Sequence, residues 1–126
     1  MRIELEGVAA RHPAARAGAA PALQPLDLAI AAGEQVAVIG PSGAGKSTIA
    51  DLVMRFYDPQ EGTVLIDGTD LRQLDLTSYR RQIGVVPQDP VLMKGSLAYN
   101  IGYGCNNMTR EQLVKAAKMA DIYDFI

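Results

Sequence analysis

The chain has 126 residues, enough for one domain with a core, and its 48% hydrophobic and 21% charged residues are ordinary for a soluble globular protein. A formal net charge of −2 argues against a polyanionic partner such as DNA or RNA, and the single cysteine, Cys105, excludes an internal disulfide and weighs against a cysteine-based metal site. No stretch approaches the roughly 18 consecutive apolar residues of a transmembrane helix.

The first six residues, Met1-Arg2-Ile3-Glu4-Leu5-Glu6, alternate charge and apolarity like a strand and lack the apolar core of a signal peptide, so the sequence reads as cytosolic. Residues 2–8 continue that alternation, which predicts a half-buried strand with Ile3, Leu5 and Gly7 on one face. Residues 9–22 are rich in Ala but interrupted by Pro13, Gly18 and Pro21, which predicts a loop. A second alternating strand covers residues 26–30, and a turn over residues 31–34 leads into Gln35-Val36-Ala37-Val38-Ile39, a β-branched run expected to form a buried strand.

The chemistry begins at Gly40-Pro41-Ser42-Gly43-Ala44-Gly45-Lys46-Ser47-Thr48, which fits the phosphate-binding pattern G-x-x-x-x-G-K-[ST]. A triphosphate needs many N–H donors converging on one point with no side chain in the way. Gly40, Gly43 and Gly45 allow the backbone to curl into such a nest, and the helix that follows adds unpaired amides and the positive end of its dipole. Lys46 supplies a point charge for the β and γ phosphates, Ser47 a hydroxyl suited to Mg²⁺, and Thr48 a further hydroxyl near the α phosphate. The strand before and the helical spacing of Ile49, Leu52 and Val53 after it favour a true phosphate loop over a glycine-rich turn that merely caps a helix.

Pro59 ends the helical pattern. Residues 62–68 predict a strand running into a turn, residues 75–81 a short helical turn, and Gln82-Ile83-Gly84-Val85-Val86 a buried strand closed by Pro87. Residues 96–101 predict a short helix. Thr109 and Gln112 have capping-box spacing ahead of a helix whose apolar face is Leu113, Val114, Ala116, Ala117 and Ala120. The chain then runs to Tyr123, Phe125 and Ile126, an apolar end that predicts a cut chain with an adhesive surface. There are no internal repeats.

The order of these pieces resembles the nucleotide-binding domain of ABC transporters, and more closely the exporter kind. Besides the phosphate loop, the resemblance rests on residues 62–71, on residues 79–89, which are similar to the family's Q-loop, and on residues 96–104, similar to the segment that follows it in exporters. It implies an α/β fold, a P-loop NTPase core of ABC type with an N-terminal antiparallel β subdomain, truncated before the signature and helical region are complete. Three regions follow: residues 1–34 as antiparallel region and adenine loop, 35–90 as the core to the Q-loop, and 91–126 as the start of the helical subdomain.

The resemblance also implies the site. ATP and Mg²⁺ would be the ligands, with Lys46 and Gln88 in catalytic positions, Ser47 and Gln88 on the metal, and Gly40 to Thr48 around the phosphates. His12 aligns with the aromatic residue, usually tyrosine, that stacks on adenine in this family. A transmembrane domain and a second nucleotide-binding domain would be the partners, on the cytoplasmic side of the membrane. Residues 64–67 are similar to a Walker B strand, but Gly68 stands where the catalytic glutamate would be, so Asp67 reads as a turn residue. Arg80 and Arg81 read as a solvated face rather than phosphate ligands.

Neither an L-S-G-G-Q signature, nor a Walker B with its glutamate, nor a switch histidine occurs in the chain. The expectation is an ATP-binding piece of an ABC-type ATPase that, by itself, turns ATP over negligibly. A P-loop kinase would need an acceptor site and a lid, for which no residues stand out. A non-catalytic interaction module with a relic phosphate loop is the remaining alternative.

Overall fold

The computed structural model describes all 126 residues, and these fall into two compact units, residues 1–84 and 85–126. The first unit is built on a four-stranded antiparallel sheet of order β2-β1-β3-β4. Its strands are β1 (Ile3–Ala10), β2 (Leu23–Ile30), β3 (Glu61–Ile66) and β4 (Thr69–Asp70). The central strand, β1, pairs Ile3 with Ile30 and Leu5 with Leu28 on one side, and Ile3 with Ile66 and Leu5 with Val64 on the other.

The alternation that predicts β1 breaks at Gly7. This residue has φ 56, the register to β2 shifts between Leu5 and Val8, and the carboxylate of Asp27 accepts from the Gly7 N–H at 2.6 Å. That is a β-bulge held by a side chain, and it reverses the strand's inward face. Val8 and Ala10 are therefore buried beside Leu5, in place of the Gly7 expected on that face.

Helix α1 (Lys46–Val53) lays Leu52, with Ile49 and Val53 beside it, into the core formed by Leu5, Val8, Leu23, Val64 and Ile66. It ends in a Schellman motif: Phe56 N–H donates to Asp51 C=O and Arg55 N–H to Leu52 C=O, with Arg55 itself at φ 53. The β3–β4 hairpin turns on Asp67 and Gly68, both at positive φ, as a two-residue primed turn requires. After a 3₁₀ turn (Leu71–Gln73), Asp75 caps the short helix α2 (Leu76–Arg80), which buries Tyr79.

Two expected strands are absent. Residues 35–39 and 82–86 carry no strand ladder, and Ile39 and Val86 are 91% and 98% exposed. The physical reason is pairing. A β-branched apolar run becomes a strand only when a neighbour takes its N–H and C=O groups, and a parallel core strand needs neighbours on both sides. All strand pairs in the chain are antiparallel, and neither run has a partner among them.

The second unit holds α3 (Leu97–Ile101) and α4 (Arg110–Met119). Ser96 caps α3, and the Asn100 side chain accepts from Met93 N–H while donating to the carbonyls of Met93 and Ser96, which closes the loop before that helix. Thr109 and Gln112 form the expected capping box of α4.

Candidate functional site

The phosphate loop is the connection between residues 35–39 and α1. Its last residue, Gly45, is the N-cap of α1 at φ 94, and Gly43 has φ 80. Gly40 does not adopt positive φ; a Cβ there would meet only the Ala44 side chain, at 3.4 Å. Gly45 is the constrained position, since a Cβ would lie 2.7 Å from the Ala22 carbonyl oxygen and 3.2 Å from the Leu23 side chain, where β2 begins.

The first helical hydrogen bond is Ile49 N–H to Gly45 C=O, at 3.1 Å. The amides of Lys46, Ser47 and Thr48 therefore precede the hydrogen-bonded ladder and point out of the helix start, where the positive end of the dipole lies. Ala44 N–H closes back onto Pro41 C=O at 3.2 Å, which fixes the curl of the loop. The Lys46 ammonium folds over that curl and donates to the carbonyls of Gly40 (2.7 Å) and Pro41 (2.6 Å). Pro41, Ser42 and Ala44 are exposed along the loop, Ser47 is exposed on the first turn of α1, and Thr48 is buried at 8% accessibility.

His12 lies just beyond β1, in an exposed turn closed by Ala15 N–H to His12 C=O at 2.8 Å. Its Nδ1 accepts from Ala14 N–H at 3.1 Å. Its ring meets Tyr57 edge to face, centroids 6.1 Å apart and planes at 65°. Gln88 occupies an exposed bend in the second unit. Asp67 is used by the hairpin: its carboxylate accepts from Arg2 N–H at 2.6 Å, and its own N–H donates to Arg2 C=O.

Arg80 is exposed, as expected, yet it is not simply solvated. Its guanidinium donates to the carbonyls of Met54 (3.2 Å) and Arg55 (2.8 Å) and lies 5.6 Å from the Phe56 ring centre. A cation is thereby seated at the C-terminal pole of the helix whose N-terminal pole faces the phosphate loop, the favourable end for positive charge. No local sequence signal reveals this, because the contact joins residues about 25 positions apart.

A family model described as ABC transporter matches residues 23–125. The "ATM1-type heavy metal exporter" of Novosphingobium aromaticivorans is 53% identical over 104 residues, covering 82% of this chain and 17% of that protein. The mitochondrial "Iron-sulfur clusters transporter atm1" of Neurospora crassa is 52% identical over 106 residues, covering 84% of this chain and 15% of that protein. Among solved structures, a bacterial Atm1-family ABC exporter with ATP bound superposes with a TM-score of 0.89 at 45% identity, over 98% of this chain and 21% of that one. The chain thus spans 15% to 21% of the length of these proteins. With the family matched over most of its length, the chain belongs to the ABC transporter family.

Proposed function

We propose that the chain binds Mg-ATP as part of the ATP-driven motor of an ABC exporter. The observation that carries this reading is the preformed nest. Three unladdered amides, at Lys46, Ser47 and Thr48, stand at one helix N-terminus behind a loop already curled by Ala44 and Pro41. In the same reading residues 1–34 carry the base loop, 35–90 the phosphate core and 91–126 the start of a helical region.

Each residue has a role set by its chemistry. Gly40 to Thr48 surround the phosphates with backbone donors. Lys46 exchanges two neutral carbonyls for phosphate oxygens, an exchange the charge-assisted bond favours. The exposed Ser47 hydroxyl offers one hard oxygen ligand, which suits Mg²⁺, an ion that keeps most of its shell as water and phosphate; the family resemblance assigns the Gln88 amide oxygen to the same ion. An ion held there would neutralise phosphate charge. Gln88 also orients water, and His12 offers a ring face to adenine.

A transmembrane domain and a second nucleotide-binding domain complete the exporter in this reading, with the chain on the cytoplasmic side. No helix of the chain is long and apolar enough to cross a membrane. Asp67 is engaged in its hairpin, where its carboxylate accepts from Arg2 N–H, and in this reading the chain binds nucleotide without appreciable turnover.

Calorimetric titration with ATP and Mg²⁺ tests the proposal. The expected result is saturable binding, weakened at least about tenfold in Lys46→Ala through loss of the charge-assisted contact. An unaltered isotherm in that variant would overturn the assignment of the nest. Turnover that Lys46→Ala abolishes would contradict the expected inactivity of the chain alone.

A further inference from the structure

The segment leaving α1 does more than end a helix. Gln60 N–H donates to Ala9 C=O at 3.1 Å, and the Gln60 side-chain oxygen accepts from Arg11 N–H at 2.5 Å, which pins the backbone one residue before His12. Three positions earlier in the same segment, Tyr57 presents its ring to the His12 ring. With the Ala14 N–H on Nδ1, the imidazole is held at its backbone, its nitrogen and one edge. Tyr57 packs against the core, while its hydroxyl is buried without a hydrogen-bond partner. The ring is therefore the part of Tyr57 that acts on His12.

We propose that Tyr57 and Gln60 are positioning residues that set the His12 ring for the adenine base. The phosphate nest at one end of α1 and the base platform tied to the segment beyond its other end then share one rigid frame. The inference rests on the reading of His12 as the adenine platform given above. It adds that an imidazole, smaller than the usual phenol ring, has to be held in place before the base arrives, because an exposed ring free to turn stacks only at the cost of being ordered.

The test compares ATP with inorganic tripolyphosphate, each with Mg²⁺, on the 126-residue chain by calorimetry. Gln60→Ala and Tyr57→Leu are expected to weaken ATP about threefold to tenfold, the range of one lost aromatic contact, and to leave tripolyphosphate unchanged. Gln60→Glu, which keeps an acceptor for Arg11, and Tyr57→Phe, which keeps the ring, are expected to retain the wild-type ratio. A parallel loss of both ligands would mean a merely structural role and would overturn the proposal.

His12→Ala separates the two layers of the argument. If it lowers the ratio while Gln60→Ala and Tyr57→Leu do not, the platform stands and the positioning role falls. If it leaves the ratio unchanged, the platform reading falls and takes this inference with it. His12 is the sole histidine, so its ring nitrogen resonances are unambiguous and are readable without nucleotide. Gln60→Ala and Tyr57→Leu are expected to move those resonances from their wild-type positions. Unmoved resonances in both variants would overturn the proposal even if no ligand bound.

Discussion

The Tyr79 hydroxyl donates to the Val53 carbonyl at 2.6 Å, tying α2 to the last turn of the phosphate-loop helix. Val53 C=O is one of the four carbonyls that a helix end leaves without an internal partner. Burial also pushes the Tyr79 phenol above its ordinary pKa, so it remains the donor. Tyr79→Phe is expected to destabilise the first unit by about 1 kcal/mol, seen as a lower urea midpoint at unchanged slope. An unchanged midpoint would show that water replaces the hydroxyl without loss.

Gly45 and Gly43 both have positive φ but differ in surroundings. A Cβ at Gly43 meets nothing within 4 Å, whereas at Gly45 it meets the Ala22 carbonyl. Gly43→Ala should therefore carry only the backbone strain, about 1–2 kcal/mol. Gly45→Ala should exceed it and also displace the first amides of α1, abolishing phosphate binding. Equal effects of the two substitutions on urea midpoint and on tripolyphosphate binding would contradict this geometry.

Acid should weaken the first unit through two named carboxylates. Hydrogen bonding from the Ser78 side chain and then its backbone N–H lowers the Asp75 pKa, and the Arg72 side chain, followed by its backbone N–H, lowers that of Asp70. Both groups have folded values below their unfolded ones. Their contribution is therefore complete above the ordinary carboxylate range, near about pH 4, and is lost as pH falls through the folded values. Asp75→Asn keeps a capping oxygen for Ser78 N–H but cannot titrate, so its urea midpoint should fall less steeply in acid than the wild type's. An identical acid limb in the variant would remove Asp75 from the account.

In the second unit the reciprocal bonds of the α4 capping box are Thr109 N–H to the Gln112 side chain at 2.8 Å and Gln112 N–H to the Thr109 hydroxyl at 3.2 Å. Thr109→Ala should cost about 1 kcal/mol, and Thr109→Ser should restore most of it. Amide exchange across residues 110–113 is the direct readout, since those protons lie in the first turn. Protection unchanged in Thr109→Ala would mean that packing alone holds the helix start.

Local signals were legible and non-local ones were not. The capping box, the Asp67-Gly68 turn and the phosphate loop are written in contiguous residues, and each stands where its spelling puts it. The runs at 35–39 and 82–86 are spelled as strands just as clearly, but a strand is a relation between two segments, and the chain offers them no ladder. Gly7 misled for a related reason, because a bulge is defined by register against a neighbour. Tyr79, Arg80 and Gln60 gave no warning: each reaches backbone groups roughly 25 to 50 positions away. Within the candidate site, the turn and helix start at residues 40–48 are local to the motif, whereas the contacts of Tyr57 with His12 and of Gln60 with Arg11 come only with the fold.

The ammonium of Lys46 bridges the carbonyls of Gly40 and Pro41, so the loop carries a counter-ligand of its own. A pocket held open only by its guest must be ordered anew at each encounter, and the guest's affinity is reduced accordingly. Here a cation of the chain itself staples the mouth of the loop, so its curl does not depend on a guest. If the proposed phosphate site holds, binding there is a handover of one cation between two sets of oxygens, and Lys46 must first let go of its own backbone.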